Sequence, residues 1–272
     1  MDQLLFGISG LPIPDGGRRF NYASAIGYLK SFGLDAMELL FVRTVNVTEQ
    51  NKNLILKAKL ENKIYLSAHG SHYINLNADE PIKQDESLAR IIKAAEGLAQ
   101  VEGKSLIFHP GYYLSDSPAD TLETIKKNLA RLPAREIDYR LETTGKRSQF
   151  GTVPELVALC QAIPSCKLCI DFAHIHARGN GSLRNYADFG DILQYVADKL
   201  GKAVLNDLHI HMGGICYNQS GERHHLPLRE SDFNYMACLK ALKDFGIKGC
   251  VIAEGPRLQY DALILKNTYL GL

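Results

Sequence analysis

Short apolar segments recur along the chain, and each ends in a polar or Gly/Pro-rich cluster before a longer stretch begins. Eight of them have the length and composition of buried strands, at residues 4–8, 36–42, 64–68, 105–108, 137–141, 168–170, 207–211 and 250–253. Between them, apolar residues recur every three or four positions at residues 86–101, 119–132, 186–200 and 232–245, which is typical of helices. Alternating strand and helix units without a linker predict an α/β fold, a (β/α)8 TIM barrel, as a single domain over residues 1–272.

An open, doubly wound sheet is the alternative to the barrel. Such a sheet usually carries a glycine-rich phosphate-binding loop after its first strand. The sequence GISGLP at residues 7–12 does not match GxGxxG, and Pro12 would disturb the start of a helix. The pattern therefore favours the barrel.

The composition is that of an ordinary globular protein, because 46% of the 272 residues are hydrophobic and 22% are charged. The net charge of +1 indicates no overall attraction to nucleic acid, so a DNA-binding surface would have to be a local patch. No apolar run approaches the roughly 20 residues that span a bilayer, and the N-terminus lacks the basic start of a secretion signal. We therefore expect a cytoplasmic protein that makes no contact with a membrane. We also expect a monomer, although the sequence itself does not reveal the oligomeric state.

Histidines and carboxylates gather where the predicted strands end. All nine histidines fall between residues 69 and 225, none in a predicted helix, and Glu142 and Glu254 occupy the same position on two further strands. Since the C-terminal ends of barrel strands converge at one face, these side chains are expected to share a pocket. Imidazole and carboxylate groups are ligands of zinc, manganese and non-haem iron. The pattern predicts a cluster of divalent metal ions.

His209 and His211 lie two residues apart on one predicted strand, so their side chains point to the same side. One of them is expected to bind metal and the other to contact a ligand or the substrate. Their spacing alone leaves open which is which.

The same residues form an ordered series: HGSxxINL from residue 69, FHPG from 108, LETTG from 141, CIDxxH from 169, ERHH from 222 and AE from 253. This series resembles the endonuclease IV family, apurinic/apyrimidinic endonucleases within the xylose-isomerase-like TIM-barrel superfamily. GLDAME at residues 33–38 and KxSQFG at 146–151 resemble its archaeal-type branch most.

The resemblance implies three zinc ions, with Mn²⁺ or Fe²⁺ as alternatives, and DNA containing abasic sites as the substrate. It implies three ligand sets: His69, His109 and Glu142 for the first ion; Glu142, Asp171, His209 and Glu254 for the second; His174, Glu222 and His224 for the third. A bridging hydroxide would attack the phosphorus 5′ to the abasic sugar. Glu142 and Glu254 would be the catalytic carboxylates, with Glu254 helping to deprotonate the water.

The chain departs from the family pattern in the segments that would grip DNA. Glu222 stands where the family usually has Asp, and His72, followed by Tyr73, stands where better-known members insert a Tyr at the lesion. His211 interrupts the usual His-x-Asn-Asp pattern, and LPLRE at residues 226–230 replaces a glycine-rich turn. The candidate substrate contacts are His72, Tyr73, His211 and Arg223. Basic residues in loops could contact phosphates, namely Arg18, Arg19, Arg43, Lys146, Arg147, Arg178 and Arg223.

Two other functions fit part of the pattern. A single-metal sugar isomerase or epimerase of the same superfamily would need only Glu142, Asp171, His209 and Glu254. The surplus ligands His109, His174, Glu222 and His224 favour the three-metal hydrolase. The other candidate is a metal-dependent binding protein that has lost catalysis.

Overall fold

A computed structural model describes residues 3–14, 16–17 and 19–272, and its centre is a closed barrel of eight parallel strands. With strands labelled in chain order, the barrel strands are β1 (Leu4–Ser9), β2 (Ala36–Leu40), β3 (Tyr65–His69), β4 (Ser105–Phe108), β6 (Asp138–Glu142), β8 (Cys166–Asp171), β9 (Leu208–Met212) and β12 (Gly249–Ala253). They follow one another around the barrel in chain order, and β12 closes it by pairing with β1. The predicted (β/α)8 TIM barrel is confirmed. Arg18 lies outside the described residues.

Helices surround the barrel. They are α1 (Tyr22–Ser31), α2 (Lys52–Asn62), α3 (Pro81–Ala99), α4 (Pro118–Leu129), α5 (Val153–Ala162), α6 (Phe172–Arg178), α7 (Tyr186–Leu200), α8 (Tyr235–Asp244) and α9 (Leu258–Gly271). The helix predicted from residue 232 begins at Tyr235 instead, because the Asn234 side chain caps it by accepting from the Ala237 N–H at 3.0 Å. None of the described helices is long and apolar enough to cross a membrane.

The short helix α6 contains His174 and His176, so the expectation that no histidine is helical was wrong. Its cause is local. The Asp171 side chain, at the end of β8, accepts from the His174 N–H at 2.8 Å and starts a helix directly after the strand. The carboxylate therefore fixes the position of His174 relative to the barrel.

Two small antiparallel strand pairs lie outside the barrel: β5 (Gly111–Tyr112) with β7 (Gln149–Phe150), and β10 (Gly214–Asn218) with β11 (Gly221–Leu226). The β10–β11 hairpin follows the seventh barrel strand and contains Arg223, which was predicted to lie in a loop. Gly221 has a φ of +99°, and a Cβ there would lie 2.2 Å from the Gly145 carbonyl oxygen. Glycine thus allows the hairpin to approach the segment that follows β6.

The barrel interior is polar along much of its length. Alternation along β6 directs Asp138, Arg140 and Glu142 to one side. Near the N-terminal end of the barrel, the buried Arg140 guanidinium donates from Nη2 to Asp207 Oδ1 at 2.8 Å and from Nε to Ser105 Oγ at 2.7 Å. Buried charges persist when they are paired in this way. The large apolar core lies instead between the barrel and the helices.

Candidate metal centre

The C-terminal end of the barrel opens into a cleft of about 450 Å³. Side chains at the ends of six barrel strands converge near its floor, because parallel strands present their C-terminal residues to the same face. Within this region three groups of histidine and carboxylate side chains have ligand atoms within 4.8 Å of one another: His69 with His109 and Glu142; Glu142 with Asp171, His211 and Glu254; His174 with Glu222 and His225.

In the first group, two imidazoles face one buried carboxylate oxygen. His69 Nε2 lies 3.0 Å and His109 Nε2 lies 2.9 Å from Glu142 Oε2. His69 Nδ1 lies 2.9 Å from the Gly70 carbonyl oxygen, which can only accept, so Nδ1 carries the proton in the neutral ring. The Nε2 lone pair of His69 then points at the carboxylate, an arrangement that requires a cation or a proton between them.

The second group uses the other oxygen of Glu142. His211 Nδ1 lies 2.9 Å from Glu142 Oε1 and 3.5 Å from Glu254 Oε1. Asp171 Oδ2 is buried and has no hydrogen-bond partner among the described residues, while Oδ1 caps α6. Since its two oxygens face different groups, Glu142 has the geometry of a bridging ligand.

The third group joins α6 to the hairpin. His174 Nε2 lies 3.5 Å from Glu222 Oε2, and the His225 ring centre lies 5.7 Å from that of His174. His174 Nδ1 lies 2.9 Å from the Thr143 carbonyl oxygen, which again leaves the lone pair on Nε2. Metal-bound histidines commonly donate their second N–H to a backbone carbonyl in this manner.

The unpaired polar atoms and the charge of the site both fit bound cations. His109 Nε2 and His225 Nδ1 are buried and make no hydrogen bond to any described residue, although the former is close to Glu142. Burial lowers the pKa of His69, but Glu142 more than offsets this and raises it to about 9. Burial likewise lowers the pKa of His174, and Asp171 raises it to about 9. The carboxylates thus attract positive charge, and the imidazole–carboxylate donor set suits zinc, manganese or iron.

The structure corrects the assignment of His209. Its Nε2 lies 2.9 Å from Glu38 Oε2, below the metal centre, whereas His211 reaches Glu142. Two residues of a strand span about 6.5 Å, which separates the two rings along the barrel axis. In the β8–β9 register His211 pairs with Asp171, and His209 pairs with Cys169. His211 is fully buried and grouped with Glu142, Asp171 and Glu254, so it does not lie on the substrate surface where it was expected.

The structure also corrects the assignment of His224, which is exposed, while His225 lies beside His174. The reason is a β-bulge in the hairpin. Cys216 pairs with His224 and Tyr217 with Glu222, which leaves Arg223 as an extra residue on β11. The bulge shifts the alternation by one position, so Glu222 and His225 face the cleft together.

The other predicted substrate contacts lie at the rim. His72 lines the cleft, its ring centre 5.4 Å from that of His69. The Tyr73 side chain is 69% exposed, and Arg223 is exposed on the hairpin. Arg178 is not free for phosphate, because it donates from Nη1 to the Gln149 carbonyl at 2.9 Å and from Nη2 to Tyr113 at 3.2 Å.

Glu38 is a site residue that the sequence pattern did not identify. It is fully buried in the barrel interior and contacts His209 and His211. A carboxylate in the middle of the apolar segment 36–42 was the available signal.

The adjacent histidines of the hairpin provide a matched test of the third group. His225→Ala is expected to remove one bound ion or weaken its affinity by about 100-fold or more, because a direct ligand is lost. His224→Ala removes the same group from an exposed position and should leave the metal content unchanged. Elemental analysis of both purified variants measures this. Equal metal loss in both variants, or loss in His224→Ala alone, would contradict the placement.

Comparison with known proteins agrees with this architecture. The chain is 45% identical over 273 residues to an uncharacterized protein, MJ0133, of Methanocaldococcus jannaschii, and the match covers 98% of this chain and 97% of that protein. Among solved structures it is similar to a D-tagatose 3-epimerase-like protein, with a TM-score of 0.75, 19% identity and coverage of 98% and 97% of the two chains. It is also similar to endonuclease IV from Thermus thermophilus, with a TM-score of 0.71, 19% identity and coverage of 98% and 99%.

The family model described as xylose isomerase-like TIM barrel matches residues 26–267. The chain belongs to the xylose isomerase-like TIM-barrel family.

Proposed function

We propose that this protein is a metal-dependent phosphodiesterase. It recognises abasic sites in duplex DNA and cleaves the backbone 5′ to them. One observation carries the proposal: three ligand groups, not one, meet at the floor of a single cleft. Glu142 belongs to two of these groups, and Asp171 links the second group to the third by capping α6 at His174. Such a connected set suits several ions that act on one phosphate, since closely spaced ions stabilise both the attacking and the leaving oxygen of a displacement.

The donor set favours Zn²⁺, with Mn²⁺ or Fe²⁺ as alternatives. When bound, such ions lower the pKa of water and offset the charge that builds on the phosphate oxygens. Glu142 is fully buried and holds the site together. Glu254 lines the cleft with a side chain that is 15% exposed, so it can reach a water molecule beside the substrate.

Glu254 also has the charge that a proton acceptor needs. In the metal-free protein, burial acts to raise the pKa of Glu254, but protonated His211 and His69 more than offset it and hold the pKa below its usual value. The carboxylate is therefore ionised at neutral pH and can accept a proton from an attacking water. Glu142 would serve mainly as a ligand.

The cleft fits a single displaced nucleotide better than an intact duplex. Its floor is polar and its walls include Leu40, Val42 and Leu258. A volume of about 450 Å³ holds one sugar-phosphate unit, so the lesion would have to leave the base stack. Abasic nucleotides leave the stack at the lowest cost, since they have no base to unpair. The exposed cations Arg43, Lys146 and Arg223 are candidates for contacts with flanking phosphates.

A sugar epimerase is the second candidate function. The group of Glu142, Asp171, His211 and Glu254 contains enough ligands for a one-ion enzyme, and the fold similarity to the D-tagatose 3-epimerase-like protein is as high as that to endonuclease IV. The first and third groups count against it, because His109, His174, Glu222 and His225 would have no task in a one-ion epimerase.

A paired activity assay distinguishes the two functions. Metal-loaded protein is incubated with a duplex that contains one tetrahydrofuran abasic analogue, with the same duplex undamaged, and with ketohexoses such as D-tagatose and D-fructose. We expect a single nick 5′ to the analogue, no nick in the undamaged duplex and no epimerisation. Epimerisation without nicking would overturn the proposal in favour of the second function, and absence of both activities would overturn it outright.

A further inference from the structure

A buried carboxylate lies directly beneath the metal centre, inside the barrel. Glu38 on β2 is fully buried, and three side chains converge on it. Ser67 Oγ–H donates to Glu38 Oε2 at 2.9 Å, His209 Nε2 lies 2.9 Å from the same oxygen, and His211 Nε2 lies 3.4 Å from it in hydrogen-bond geometry. Glu38 Oε1 lies 3.2 Å from His211 Nε2 but makes no hydrogen bond to any described residue. None of these contacts is explained by the proposed phosphodiester cleavage.

We propose that Glu38 is a positioning residue for the metal centre, which fixes the tautomer and the ring orientation of His211. The proposal rests on the metal centre proposed above, but not on the identity of the substrate. By accepting the His211 Nε2–H through Oε2, Glu38 directs the Nδ1 lone pair of that ring towards Glu142 and Glu254. Carboxylates that accept from a metal-bound histidine have this effect in other sites.

The fold explains how one carboxylate reaches these partners. Glu38 pairs with Ser67 in the β2–β3 register, so the two side chains lie side by side on the inner face. β9 contributes His209 and His211 on the same inner face, one above the other. Glu38 thus links β2 to the strand that carries His211, and its Oε2 faces donors on both β3 and β9.

The neighbours of Glu38 fit an ionised carboxylate that only accepts hydrogen bonds. A carboxylate has no proton to give, so both histidines must present an N–H to it. For His211 this assigns the proton to Nε2 and the lone pair to Nδ1. For His209 it leaves Nδ1 without a proton, and that atom is buried with no partner among the described residues. Hydrogen bonds from His209 and Ser67 therefore fix the position of Glu38, and Glu38 in turn fixes the orientation of the His211 ring.

A separate metal ion in this pocket is the competing explanation. Cys169 Sγ and nitrogens of His209 and His211 lie within 4.8 Å of one another. A neutral imidazole, however, has one lone pair and one N–H. If His211 Nδ1 serves the metal centre, its Nε2 carries a proton and cannot bind a second ion, which leaves too few neighbours for a tetrahedral site.

Metal titration of the apoprotein tests the proposal. Zinc is titrated into wild type and Glu38→Gln in competition with a chromophoric chelator. We expect one of the bound zinc ions to lose affinity by about 10- to 100-fold in Glu38→Gln, with the others unchanged. General destabilisation would weaken all of them together. Equal affinities in wild type and Glu38→Gln would overturn the proposal alone, whereas a wild type that binds no zinc would overturn it together with the metal centre. Failure to cleave DNA would leave the titration unaffected.

Two further variants and a spectrum complete the test. Ser67→Ala deletes one hydroxyl and should weaken the same ion by about threefold or more, so it decides the outcome if Glu38→Gln does not fold. Unchanged affinity in Ser67→Ala would then overturn the proposal.

Cys169→Ala is the matched control in the same pocket and should bind the wild-type number of ions. Loss of one ion would show that the pocket itself binds metal and would overturn the proposal. Long-range ¹H–¹⁵N spectra of the zinc-loaded protein should show His211 protonated on Nε2, and protonation on Nδ1 would overturn it.

Discussion

Replacement of Glu142 by glutamine is expected to reduce nicking at an abasic site by about 10³-fold or more, since metal assistance contributes several kcal/mol to the barrier. Glu142 directs Oε2 to His69 and His109 and Oε1 to His211, so one side chain serves two ligand groups. An amide carries no charge and offers a single ligand oxygen. Both affected ions should therefore be lost or weakened, and initial nicking rates together with elemental analysis measure the two effects.

The control for this variant is a carboxylate at the opposite end of the barrel. Asp207 accepts from Arg140 Nη2 at 2.8 Å and from Lys167 Nζ at 2.6 Å. Asp207→Asn makes the same chemical change and should lower stability, because Arg140 loses a partner, while metal content and nicking stay near the wild-type values. A Glu142→Gln variant that nicks as fast as Asp207→Asn would contradict the role assigned to Glu142.

Removal of bound metal is expected to lower the melting temperature by about 8–16 °C. A single ion at a thousandfold excess over its Kd stabilises the native state by about 4 kcal/mol, and each kcal/mol shifts Tm by about 2–4 °C in a chain of this size. The melting temperature should fall because, without metal, buried carboxylates and histidine lone pairs face one another with no cation between them. Calorimetry of the protein before and after treatment with a chelator, and after zinc is added back, measures the shift.

Glu142→Gln provides the matched comparison for the melting experiment. Its Tm should depend much less on chelator than that of wild type, because fewer ions are held. If wild type melts at the same temperature with metal, with chelator and after restoration of zinc, the groups do not bind ions in the folded protein.

The barrel was predictable because each strand left a clear local signal. Apolar segments of three to seven residues, separated by helical periodicity, located all eight barrel strands, and convergence of strand ends then brought His69, Glu142 and Asp171 together as expected. Helix α6 was missed because its start depends on a hydrogen bond from the His174 N–H to the Asp171 side chain, which periodicity does not reveal.

The differences between the predicted ligand sets and the groups seen in the structure have geometric causes. His209 and His211 share a face, and only the height of β9 relative to its neighbours decides which of them reaches Glu142. His225 replaces His224 because a bulge at Arg223 shifts the alternation of the hairpin. Glu38 escaped notice because its partners come from strands more than 25 residues away in sequence, and their convergence depends on barrel closure.

Anomalous diffraction from crystals of the zinc-loaded protein, recorded on both sides of the zinc edge, tests the three-ion centre most directly. The account predicts three peaks at the floor of the cleft: one beside His69 and His109, one beside His211 and Glu254, and one beside His174 and His225, with Glu142 between the first two. A single peak beside Asp171, His211 and Glu254, with the other two groups empty, would contradict the three-ion centre and support a one-ion enzyme.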